Sequence, residues 1–303
     1  MNLRVGVSLL GAASLCACTT MAPLTQTDNN VNKFAAGIHT VDSAEMAFLR
    51  QVQSAECSSR FYSAAFTFAT ASKDPRTKQY PNVPFDLHPD CEPQELTNDE
   101  LRLRQTLLDT LAAYGDSMQF LLTGNNNGTP DSRSDAVAKD AENLAKQEKF
   151  KSISSSDAAG MNAAVVSIAE VILDHHEYAN VKQAAAKAEP SLEIMVNTLK
   201  SENTNDAEGI KSKLTGIKQD LYIAARASRE QRGAASLFDI ASAHAALEPL
   251  SVATDVTLLN ATLDAMVSSN KALASDDQSA LLPEVINFVS QGQKAAALYN
   301  ASK

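Results

Sequence analysis

Tryptophan is absent from this 303-residue chain, aromatic residues make up 5% of it, and glycine occurs only 11 times. A sheet sandwich draws on valine, isoleucine, tyrosine and phenylalanine, so an aromatic-poor chain whose 44% apolar content leans on alanine fits closely packed helices better. Basic residues are also in deficit, 26 against 36 acidic. An average negative field repels polyanions, which argues against nucleic acid or an anionic lipid face as partner. Long apolar runs are missing too. The one run near the start, Val5 to Leu15, is about half the roughly 20 residues that cross a bilayer. Motifs for common chemistries are equally scarce, with no GxSxG elbow, no phosphate-binding glycine loop and no CxxC.

What is present begins with that run. Arg4, the apolar stretch and the small residues after it have the three parts of an export signal. It ends in Leu15-Cys16-Ala17-Cys18, which resembles the lipobox of bacterial lipoproteins, with leucine three residues before the modified cysteine and a small residue just before it. The resemblance covers the first 18 residues. It implies a signal peptide over 1–17, a diacylglycerol thioether and an acylated amine on Cys18, and a stable anchor, since each buried methylene contributes about 0.8 kcal/mol. Thr19 after the cysteine, in place of aspartate, implies the outer membrane of a Gram-negative envelope, with the domain in the periplasm. Loss of Arg4 with the leader brings the net charge from −10 to −11. The membrane, through the Cys18 lipid, is the first expected partner.

Residues 18–40 are polar and aperiodic, and read as a flexible tether holding the domain about 25 Å from the lipid. Asp42 with Glu45 three residues on reads as a capping box opening the first helix. Ala44, Phe48, Val52, Ala55, Ser59, Tyr62, Phe66 and Ala69 then mark one face. Five of the ten prolines fall between Pro75 and Pro93, so 72–96 reads as a long irregular loop. Two cysteines survive processing, Cys57 in the helix and Cys91 in the loop, and an isolated pair in an exported protein is most simply a disulfide. Thr97 with Glu100 forms a second capping box, and Leu103, Leu107, Leu111, Tyr114, Met118 and Leu121 line one face up to Gly124.

A serine-rich break separates this N-terminal helical part, 41–150, from a C-terminal four-helix part, 157–303. Within the latter, Val171, Tyr178, Ala185, Leu192 and Leu199 are seven apart and give a heptad-like seam. Pro190 should kink or break it. Asn203-Thr204-Asn205 reads as a turn. Ile210, Leu214, Ile217 and Leu221 then line a returning arm, each arm being about 60 Å long. Shorter helices follow over 254–273 and 276–300. The fold class is all-α, an up-and-down bundle of six to seven helices, either continuous or split into two packed sub-bundles, with one disulfide-stapled proline-rich loop.

Candidate sites are sparse. Tyr80, Phe85, Leu87 and His88 sit among prolines that hold them extended at low entropic cost, which suits protein recognition. Arg226, Arg229 and Arg232 form a row that could clamp an acidic partner or pair with neighbouring carboxylates. His176-Glu177-Tyr178-Ala179-Asn180 misses the zinc-protease pattern by its last residue. Glu170, Asp174, His176 and Glu177, with His244 and Glu248, could nonetheless form a carboxylate–histidine metal site within a bundle. Ser268-Ser269-Asn270-Lys271 matches SxxK without its partner motifs. The expectation is a non-enzymatic lipoprotein without a cofactor, acting on an unidentified envelope protein as accessory, inhibitor or scaffold. A metal-dependent enzyme is the alternative.

Overall fold

The computed structural model describes residues 26–70, 96–123, 163–171, 181–231, 250–275 and 278–300. Among these residues there are five α-helices, a further helical stretch at 163–171, a 3₁₀ turn and no strand. The helices are α1 (Gln26–Thr70), α2 (Asn98–Thr123), α3 (Val181–Gln231), α4 (Thr257–Ala274) and α5 (Gln278–Asn300), with the 3₁₀ turn Val252–Thr254 before α4. None of them is long and apolar enough to cross a membrane. The all-α expectation holds.

Helix α1 starts at Gln26 instead of Asp42, so the tether over 18–40 is corrected from Gln26 onward, and 18–25 lie outside the described residues. Val31, Phe34, Ile38 and Val41 are buried at steps of three and four, and Phe48, Val52 and Ala55 continue the stripe. The polar run before Val31 conceals this start, because Asp28 and its neighbours occupy the first turn, where exposed amides and the helix dipole favour such side chains. Asp42 and Glu45 are therefore mid-helix, and the capping box proposed there does not exist. The Thr40 hydroxyl donates to the Ala36 carbonyl at 2.9 Å, a bond made inside a helix and not at its start.

Helix α2 begins as expected. The Thr97 amide donates to Glu100 Oε2 at 2.8 Å while the Glu100 amide donates to Thr97 Oγ1 at 3.2 Å. Leu107, Leu111, Tyr114 and Met118 are buried, and the helix ends one residue before Gly124.

The largest correction is α3. Pro190 lies inside it without ending it, and Asn203-Thr204-Asn205 is helical, so there is no turn and no returning arm. One rod of 51 residues, about 77 Å long, replaces the hairpin. Val181, Ala185, Ala188, Leu192, Met195 and Leu199 are buried, then Asn203, Ala207, Ile210, Leu214 and Ile217. The steps alternate four and three except from Met195 to Ala207, where three fours run together. That amounts to two successive stutters, each an insertion of four residues in the heptad, and it lets the seam persist while the facing partners change.

The helices alternate in direction. Val31 to Val41 of α1, Leu107 to Met118 of α2, Ala164 to Val171, Val181 to Leu199 of α3, Leu263 to Leu273 of α4 and Leu281 to Phe288 of α5 form one apolar core, the lower core. Ala44 to Ala55, Leu96, Ala207 to Ile217, Leu250 to Leu259, Ala295 and Tyr299 form a second. Helices α1, α3 and α5 thus run one way, α2 and α4 the other. Helix α1 packs on all four other helices and most extensively on α5, so N- and C-terminal parts share both cores in one bundle and not in two sub-bundles. Phe34 meets Phe288 at 5.7 Å between ring centroids, and Phe48 meets Tyr299 at 5.6 Å. Gly37 permits the first contact, because a Cβ there would lie 2.5 Å from Phe288 Cε1.

Candidate functional site: a polar layer and its cleft

Between the two apolar cores every long helix changes character. Helix α1 places Glu45 there, α2 Arg104, α3 Glu202, Asn203 and Asp206, α4 Asn260 and Thr262, and α5 Gly292, beside which Thr262 and Thr40 lie. The layer coincides with the stutters in α3. Consecutive steps of four widen the buried face of that helix, so residues 202, 203 and 206 all turn inward at once.

Two networks share this level. In one, Arg104 holds two α3 carboxylates a turn apart, Glu202 Oε2 at 2.6 Å and Asp206 Oδ2 through the other nitrogen of its fork. The side chains of Arg104 and Glu202 are each 10% exposed. Burial still pushes the Asp206 carboxyl above its ordinary range, with Arg104 and Lys213 opposing that shift. In the other, Asn203 Nδ2 donates to Glu45 Oε1 at 2.9 Å and to Asn260 Oδ1 at 3.4 Å, and Asn260 Nδ2 donates to Thr204 Oγ1 at 3.3 Å. Glu45 is fully enclosed. Its pKa is pushed up to about 7, first by loss of water, while the Asn203 bond and the Arg104 charge act the other way.

A cleft of about 130 Å³ opens on the outer side of this layer. Val52 of α1, Leu96 and Arg104 from the α2 side, and Glu202, Asp206 and Gly209 of α3 are among its walls. Arg104 is thus reached from solvent on one side and held by two carboxylates on the other. Lys213 is the second cation on the cleft's wall, and its charge acts on Asp206. No group of three or more histidine, cysteine, aspartate or glutamate side chains among the described residues could hold a metal ion.

None of the residues singled out from sequence as a candidate site is among the described members of this layer. Glu170 is exposed on the 163–171 stretch, while Asp174, His176, Glu177, His244 and Glu248 lie outside the described residues, as do Cys18, Cys91, Tyr80, Phe85, Leu87, His88 and Arg232. Arg226 and Arg229 belong to the last turns of α3. Cys57 is disulfide-bonded, and with Cys91 outside the described residues the pairing of the two stays an expectation. Sequence reading passes over the polar layer because it makes Glu45 a capping residue and Asn203-Thr204-Asn205 a turn, and because nothing around Arg104 singles it out. One signal was available. The α3 stripe keeps its period on both sides of Asn203, which a turn would interrupt.

No protein-family model, curated protein or solved structure matches the chain. The class it defines is therefore structural, an antiparallel helical bundle with a stuttered polar layer.

Proposed function

We propose that the chain is a lipoprotein of the outer membrane that works by protein–protein contact, as a stalk with lipid at one end and a recognition surface at the other. The observation that favours this reading is the separation of its ends. Gln26, eight residues after Cys18, opens α1 at the end where Val31, Phe34 and Val181 pack. Tyr62 and Leu221 pack at the opposite end, more than 50 Å along α1 by helix rise. There α1 gives way to the proline-rich segment carrying Tyr80, Phe85, Leu87 and His88, and α3 carries Tyr222 and Ile223, 69% and 40% exposed. Arg226 and Arg229 follow in the next turns. A tyrosine, an isoleucine and arginines together have the composition of protein-contact surfaces. A Cys57–Cys91 bridge would tie the proline segment to α1 at this end and stabilise it by about 3–4 kcal/mol through loop closure.

Eight residues of chain span at most about 28 Å, so the bundle would stand close to the membrane with its far end projecting into the periplasm. Catalysis has no part in this reading.

Site-specific photocrosslinking in living cells tests it. A crosslinker at Tyr222 or Phe85 should trap the same discrete envelope protein, and one at Ile194, exposed but on the lower bundle, should not. Radiolabelled palmitate should enter the protein and be lost in Cys18→Ala. Equal products from all three positions, or an unmodified N-terminus, would refute the stalk.

A further inference from the structure

The polar layer joins a fully buried carboxylate, a bidentate arginine clamp and a solvent-open cleft at one level of the bundle. Three helices meet there through charges and amides, where above and below they meet through apolar side chains. Apolar layers tolerate a change in solution pH. This layer does not, because its closure depends on which of its carboxylates carries a proton.

We propose that the layer is a proton-controlled latch: neutral Glu45 lets α1, α2 and α3 close on one another, and ionised Glu45 draws Arg104 away from Glu202 and Asp206 and opens the cleft. Glu45 faces Asp42 along its own helix, Arg104 of α2, Asp206 and Asn203 of α3 and Tyr299 of α5, whose hydroxyl is held protonated first by burial and then by the Glu45 and Asp255 charges. From α4 the neighbour is Asn260, bonded to the same amide of Asn203 and carrying no charge. Arg104 is the one cation in that shell, and it is already shared between two carboxylates. A third negative charge inside the layer must compete for it or remain buried without a counter-ion, and the second state is the costlier. Protonation removes that competition, and the neutral carboxyl still accepts the Asn203 hydrogen bond.

The sign follows from the direction of the shift. The folded-state pKa of Glu45, about 7, lies above its ordinary 4.5, so the layer's stability is fully present below 4.5 and is lost as pH rises through 7. Asp42 and Asp206, both pushed up chiefly by burial, act in the same sense at lower pH. An exported protein experiences such changes directly, because the fluid around it follows the medium.

Hydrogen exchange at pH 5.5 and pH 8, corrected for intrinsic exchange rates, tests the latch. Amides beside the cleft, over 100–108 and 200–210, should open about 30-fold more readily at pH 8, whereas those around Ile38 and Leu192 should hold constant. Glu45→Gln keeps the acceptor for Asn203 and should abolish the difference. The same pH dependence in Glu45→Gln, or a uniform loss through both cores, would overturn the proposal. In the unmodified protein, carbon-detected titration should place the Glu45 carboxyl midpoint near 7; a midpoint below 5 would equally defeat it.

Discussion

At the scale of single residues, Arg104 decides more than its charge suggests. It neutralises two carboxylates that α3 has carried out of water, and it does so from a different helix. Replacing it with methionine keeps the length of the side chain but removes the guanidinium that bridges Glu202 and Asp206. Arg104→Met should therefore destabilise the fold by about 3–5 kcal/mol in urea unfolding at pH 5.5, below the Glu45 midpoint, where the clamp is closed. Replacing all three residues with apolar ones of similar size should recover most of that loss, because the desolvation cost disappears along with the attraction. A small effect in the single variant would mean that the carboxylates reach water freely. The buried Tyr114–Asn270 pair works on a similar rule with neutral groups: the hydroxyl donates to Asn270 Oδ1 at 2.5 Å, and Asn270 Nδ2 donates to the Ala185 carbonyl at 3.1 Å. It ties α2, α3 and α4 together in the lower core without any pH dependence in the range where Glu45 titrates, since burial holds the tyrosine hydroxyl protonated well above that range.

At the scale of elements, the N-terminal turns of α1 carry a share of the lower core that their polar sequence conceals. Val31, Phe34 and Ile38 are almost wholly buried, and Phe34 touches both Tyr114 and Phe288. A chain starting at Gln26 should unfold in urea as cooperatively as the mature protein. One starting at Val41 loses three large core side chains, each worth about 2–5 kcal/mol, and should not form the bundle. Equal stability of the two chains would return 26–40 to the status of a tether. The α2 capping box, its apolar stripe and the α4 and α5 boundaries were legible in the sequence because local chemistry and burial agree there. The start of α1 and the continuity of α3 were not. Asparagine, threonine and aspartate signal caps and turns when exposed, and the same residues serve as buried hydrogen-bonding groups when neighbouring helices supply partners. Asn203 has two such partners, Glu45 and Asn260, 158 and 57 residues away along the chain. Pro190 misleads for a simpler reason: it sits on the exposed side of α3, so the helix bond its missing amide removes lies away from the packed face. The candidate metal ligands were gathered by spacing alone, and the one of them among the described residues, Glu170, is exposed.

At the scale of the whole molecule, the two apolar cores, the polar layer between them and the proposed separation of lipid and contact surface all rest on α3 running straight through Asn203-Thr204-Asn205. Were it to turn there, Ile210 to Ile217 would fold back over the lower core, the layer would be a hairpin tip, and the bundle would be half as long. Lys187 and Tyr222 are both exposed and lie on either side of the disputed tripeptide. Nitroxide labels at these two positions, read by pulsed dipolar spectroscopy in the folded protein, measure the point directly. A continuous helix places them about 53 Å apart in a single population; a distance under about 30 Å would contradict the rod and every inference drawn from it.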